Sequence, residues 1–185
     1  MTVIDPKEAA SALSEIDSIA RRVRQSRFYR ISSLMLVLWG ILTAVGYLTT
    51  YLAPAQGYSI WLVIYLLGLA GSFAVSAYDR KRVGVRSFDL RMLAAYLVFF
   101  GFGLLWSVGL GPFTPRQLGV FWPTYVMMVY VIVGLWVGPA FVAIGLSITA
   151  LALAGYALAG DWFNLWMAAV NGGGLILGGL WMRRS

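Results

Sequence analysis

YDRKRVGVRSFDLR, residues 78–91, decides how the rest of the chain is read. Arg80, Lys81, Arg82, Arg86 and Arg91 stand there against Asp79 and Asp89 alone. On both sides, from residue 31 onward, the chain is almost entirely apolar. A short basic segment between long apolar runs reads as a cytoplasmic loop of a polytopic membrane protein. Working outward from it, each apolar run is about 20 residues, the length that crosses ~30 Å of hydrocarbon as a helix. The runs do not alternate in polarity, as ~10-residue strands of a membrane barrel would. Hydrophobic residues make up 61% of the 185 and charged residues 11%. Soluble domains carry about 25% charged residues.

Before the loop, the spacing predicts spans over residues 31–52 and 58–78, joined by the turn Ala53-Pro54-Ala55-Gln56-Gly57. After it, a span is expected over 91–110, then a turn around Pro112 and Pro115. Residues 118–159 carry no charge at all. As one helix, those 42 residues would extend ~63 Å, twice the hydrocarbon thickness. Gly138-Pro139 is the expected break, since Gly ends helices and Pro begins them. That gives spans at 118–137 and 139–159, and the turn Gly160-Asp161 leads into a last span over 162–182. The fold class is therefore all-α: six transmembrane helices arranged as three hairpins and preceded by an amphipathic N-terminal helix. Two regions follow, residues 1–30 and residues 31–185. Ala53-Pro54-Ala55 resembles a signal cleavage site, but the apolar run before it is longer than the ~7–15 residues of a signal peptide. That span is expected to stay as an anchor.

In residues 1–30, Asp5-Pro6-Lys7-Glu8 is a helix start, with Asp as N-cap and Pro at the first helical position. Leu13, Ile16, Ile19, Ala20 and Val23 then fall on one apolar face. Arg21, Arg22, Arg24, Arg27 and Arg30 lead into the first span. Two roles fit this pattern: lying on anionic lipid at the cytoplasmic face, or docking a protein partner or a second copy.

Placing the N-terminus in the cytoplasm puts thirteen of the fourteen Lys and Arg residues on that side, leaving Arg116 outside. Both termini are then cytoplasmic. The net charge of +7 follows from this asymmetry, so no nucleic-acid partner is expected. Tyr47, Tyr51, Tyr58, Trp61, Phe113, Trp122, Trp162 and Trp166 fall near the outer interface. The first and last hairpins share a Trp after the outer turn, glycines, and a basic ending. This reads either as a parallel repeat or as the common needs of any hairpin.

No Asp, Glu, Lys, Arg or His lies mid-span, and the chain contains neither Cys nor His. That removes the usual proton relays, thiolate nucleophiles and imidazole ligands. No cofactor, no metal and no enzymatic activity are expected. The remaining candidates are packing and polar positions. Gly174 and Gly178 form a G-x-x-x-G pair in the last span, with Gly179 expected to point elsewhere and to tolerate substitution. Gly68 and Ser72 form a small-residue ridge on the second span. Asn171, before three glycines, and Asn164, seven residues earlier, form the candidate polar site. Tyr125, Met127, Met128 and Tyr130 are candidates to line an apolar cavity or to fill the core.

The stretch Glu15-Ile16, Arg21-Arg22-Val23, Leu38-Trp39-Gly40 and Gly46-Tyr47-Leu48 resembles uncharacterised small bacterial inner-membrane proteins with a charged N-terminal helix and several spans. The resemblance implies a bacterial inner membrane and carries over no functional residue. Two functions are expected from the whole reading. One is a non-enzymatic subunit, scaffold or regulator acting through protein contacts. The other is a small transporter or channel component for an uncharged or lipidic solute.

Overall fold

The computed structural model describes residues 6–83, 90–111 and 113–184. Asp5, Pro112, Ser185 and the centre of the basic connection, residues 84–89, lie outside them. Among the described residues the chain is all-helical, with no strand. The elements are α1 (Pro6–Leu52), α2 (Gly57–Val83), α3 (Leu90–Leu104), α4 (Pro115–Val137), α5 (Pro139–Leu158), α6 (Phe163–Met167) and α7 (Gly174–Arg184). A π-helical turn, Leu105–Gly109, extends α3, and a second, Ala168–Gly173, joins α6 to α7 in one rod. Five helical stretches are long and apolar enough to cross a membrane: Phe28–Leu52, Pro54–Asp79, Pro115–Val137, Pro139–Leu158 and Gly160–Arg184. Within the third expected span, residues 91–110, the apolar helix is the shorter stretch Ala94–Gly109.

The helix ends follow local chemistry. Thr114 caps α4 through a reciprocal box: its hydroxyl accepts from the Gln117 amide, and the Gln117 side chain accepts from the Thr114 amide at 2.8 Å. α4 and α5 are separated by one residue, Gly138, with φ 157° and ψ 155°. That region of backbone space is open essentially to glycine alone. Pro139 then starts α5 where its missing N–H is not needed.

Three pairs of sequence-adjacent helices, α1 with α2, α3 with α4 and α5 with α6, share a joint. Near each turn, a tryptophan from the second helix lies over a glycine of the first. Trp61 covers Gly46, Trp122 covers Gly103, and Trp166 covers Gly155. The Trp166 indole N–H also donates to the Leu151 carbonyl at 2.8 Å. In lipid the hydrophobic effect does not draw helices together, so such close van der Waals contacts do. The α1–α2 hairpin has a second joint of reversed sense. Trp39 of α1 lies over Gly68 and donates to the Ser72 hydroxyl at 3.1 Å.

The α6–α7 rod occupies the middle, antiparallel to both α1 and α5, and is the most buried of the five spanning stretches. α2 packs outside α1, and α4 outside α5. α3 is held to α4 by rings: Phe99 stacks on Tyr125 with centroids 4.5 Å apart, and the Tyr125 hydroxyl donates to the Phe99 carbonyl at 3.1 Å. Two apolar clusters fill the interior. Leu36, Met127, Phe141, Ile144, Ile148, Leu175 and Met182 form one; Tyr47, Val120, Ala152, Phe163 and Met167 form the other, toward the turns.

Candidate functional site

The rod is where the bundle departs most from regular helix. Gly172, Gly173 and Gly174 give it no side-chain stiffening, and at Ala168–Gly173 the backbone widens to a π turn. Such turns recur at functional sites because they re-aim side chains and free carbonyls. Asn171 lies within this turn, 3% exposed. Beside it, Gly172 meets α1 backbone to backbone: a methyl there would sit 2.5 Å from Ala44 Cβ and 2.7 Å from Ala44 Cα. One turn on, Gly40 of α1 faces the Gly172 carbonyl, where a methyl would come within 2.9 Å. The next residue, Gly173, has nothing within 4 Å of a notional methyl.

Gly174 and Gly178 face α5, as the pair spacing predicts for a helix contact. Methyls there would meet Ile148 Cγ1 at 3.1 Å and Ile144 Cδ1 at 2.9 Å, both movable side-chain atoms. Gly179 does point elsewhere, toward α1, but the tolerance expected of it needs correction. A methyl at Gly179 would lie 2.9 Å from the Ser33 carbonyl oxygen, and the Ser33 hydroxyl donates to the Gly179 carbonyl at 2.6 Å. Gly174 and Gly178 serve one wall of the slot holding the rod; Gly172 and Gly179 serve the other. Gly68 and Ser72 lie together under Trp39.

Asn164 lies in α6 and Asn171 within the π turn Ala168–Gly173. The seven-residue spacing between them is therefore not carried by one regular α-helix. Asn171 is buried, whereas Asn164 is half-buried in the short α6. The four residues considered for a cavity separate. Met127 is core, Met128 is exposed, Tyr130 packs on Phe141, and Tyr125 joins the α3–α4 ring stack.

Charge is confined to the ends. At the end away from the hairpin turns, Arg30 of α1 donates to the buried Asp79 carboxylate of α2 at 3.0 Å. At the turn end, Arg116 donates to the Tyr156 carbonyl at 2.8 Å and lies over the rings of Tyr156 and Phe163, 5.6 and 5.3 Å from their centroids. It thereby satisfies one of the orphan carbonyls in the last turn of α5. No group of three or more His, Cys, Asp or Glu able to hold a metal occurs among the described residues.

α1 runs well past its apolar stretch. Its apolar stretch begins at Phe28, yet the helix starts at Pro6. On that 22-residue extension Leu13, Ile16 and Ile19 are 64%, 61% and 53% exposed. Val23, expected on the same face, is among the side chains outside the described set.

These features define an α-helical membrane protein with a close-packed interior and a helix extending past its apolar span. No protein-family model, no curated protein and no solved structure matches the chain. The joints between Trp61, Trp122, Trp166 and their glycines escaped sequence reasoning. The only available signal was a glycine eleven to nineteen residues before each tryptophan, across each turn.

Proposed function

We propose that the chain is a non-enzymatic integral membrane protein acting through protein contacts, as a subunit, scaffold or regulator. In this reading it sits in a bacterial inner membrane with six spans, three hairpins and both termini cytoplasmic. The alternating directions of the hairpins and the thirteen-to-one distribution of basic residues support that arrangement. Bilayers thin and helices shift to accommodate a short apolar stretch, so Ala94–Gly109 can serve as the sixth span. The observation that carries the functional reading is the extension of α1 with Leu13, Ile16 and Ile19 uncovered. After gentle solubilisation, the full chain should migrate in an assembly larger than itself. Ile16→Asp/Ile19→Asp should release it to a smaller size at unchanged helix content. Identical migration of parent and variant would sink the reading.

The topology is tested in intact cells, since the cysteine-free chain accepts single cysteines. Gln56→Cys and Asp161→Cys should react with an impermeant thiol reagent; Gly84→Cys and Ser185→Cys should react only after lysis. Labelling of position 84 from outside would reverse the orientation.

One observation favours a second reading, a transporter or channel component for an uncharged or lipidic solute: the π turn with buried Asn171 midway along the rod. Discontinuous helices at mid-depth are where transporters hold their substrates. Under the contact reading, Asn171→Ala changes stability by about 0.6 kcal/mol and leaves the assembly intact. Under the transport reading the same variant folds and assembles but stops solute movement in reconstituted vesicles.

A further inference from the structure

The uncovered face of α1 can be assigned an occupant by reach and charge. Leu13 lies fifteen residues before Phe28, which at 1.5 Å per residue is about 22 Å of helix beyond the apolar span. Tilting by 40°, the upper end of the usual range, still leaves it about 17 Å from the hydrocarbon. The headgroup layer is only ~5–7 Å deep on each side. Lipid could cover Leu13, Ile16 and Ile19 only if the helix bent sharply. Sharp bends arise chiefly at Pro, at Gly, or at π turns. Between Lys7 and Trp39 the chain has no Pro, no Gly and no π turn. The face therefore stands in water unless a protein covers it.

Charge separates the two kinds of protein. Residues 18–30 hold five arginines and no carboxylate; Arg30 is paired with Asp79, which leaves Arg21, Arg22, Arg24 and Arg27, and the carboxylates of this segment, Glu15 and Asp17, precede the run. A second copy would emerge from the same side of the membrane, parallel and level with the first. Each arginine would then stand at the height of its own counterpart, where like charges oppose association. A partner helix with carboxylates at those levels gains what the second copy loses.

We propose that the α1 extension docks an acidic amphipathic α-helix of a cytoplasmic partner protein, with Leu13, Ile16 and Ile19 as its apolar seam and the arginine run as its charge guide. This rests on the contact reading above and commits it to one partner chemistry.

The test uses the full chain in nanodiscs of phosphatidylethanolamine and phosphatidylglycerol, spin-labelled at Ser14→Cys, an exposed position beside the seam. The probe is a 21-residue peptide with Leu at heptad a and d positions and Glu elsewhere; its Lys counterpart is the control. Three results are expected. The label alone is accessible to aqueous relaxant and shows no label–label broadening. The Glu peptide immobilises it saturably, and added salt weakens that effect; the Lys peptide does not. Ile16→Gln/Ile19→Gln, which keeps helix propensity, weakens binding of the Glu peptide at least about tenfold. Accessibility to oxygen rather than aqueous relaxant makes the occupant lipid and overturns the proposal. Dipolar broadening makes it a second copy and overturns it too. Equal binding of both peptides, or of neither, removes the acidic partner. If that happens while Ile16→Asp/Ile19→Asp still shrinks the native assembly, the contact reading survives without it.

Discussion

Gly172→Ala should lower the stability of the bundle by about 2–3 kcal/mol, the upper part of the range for overpacking a tight interior. The neighbour it meets is the reason. Ala44 presents its Cα and Cβ, which cannot rotate away, so α1 and the rod must part along their length. Gly173→Ala is the control one residue along. It enters open space and replaces a poor helix former with the best one, so it should stabilise by up to about 1 kcal/mol. Gly174→Ala should fall between, because Ile148 can yield a few tenths of an ångström. Denaturation in mixed micelles, followed by far-UV dichroism, ranks the three. Equal behaviour of Gly172→Ala and Gly173→Ala would mean that α1 and the rod are not in backbone contact.

Arg30→Met is the second large effect, and its asymmetry with Asp79→Asn is the informative part. The Asp79 side chain is 10% exposed and the Arg30 side chain 48%. Removing Arg30 takes one partner from a buried carboxylate. Removing the Asp79 charge leaves a guanidinium that water can reach. Breaking a fully buried pair costs about 3–5 kcal/mol, and partial exposure of the Arg30 head reduces this to about 2 kcal/mol for Arg30→Met. Asp79→Asn should cost about 1 kcal/mol or less, and the double variant less than Arg30→Met alone. Thermal unfolding of the three variants in one detergent checks the order. If Asp79→Asn proves the more harmful, the pair is not what holds α2 to α1 at this end.

Much of the helix plan was legible because its signals are local or strongly periodic. Gly138-Pro139 broke a run too long for one crossing, and α4 and α5 end and begin on either side of it. The span limits expected around residues 52, 137 and 159 agree with the helix ends to within a residue or two. Other features left no such trace. A π turn occupies five or six residues, too few to register as a change of period, so Ala168–Gly173 read as ordinary helix around unusual glycines. The G-x-x-x-G spacing of Gly174 and Gly178 identified one contact face of the rod. It could not reveal that Gly172 and Gly179, on another side, approach the backbone of α1 as well as its side chains. Which helix lies opposite a glycine is a tertiary fact, absent from spacing along one helix. The N-terminal segment and first span were read as two regions because their polarity differs; the backbone passes from one to the other without interruption.

The rod's central place has a consequence for how the protein is made. Residues 163–184 leave the ribosome after every other described helix, yet they are the ones that α1 and α5 close upon. Until they arrive, the five earlier helices must wait in the bilayer with a vacant slot between them. The Ser33 hydroxyl and Gly40 line one side of that slot, and Ile144 and Ile148 line the other. The earlier hairpins can each close as they are synthesised, since every one has its own tryptophan joint. The assembled interior cannot. Packing of the rod between α1 and α5 is therefore expected to come late in maturation, after the contacts among the earlier helices. A chain stalled or cleaved before Phe163 would present an open seam to membrane chaperones and proteases while each of its hairpins was already formed.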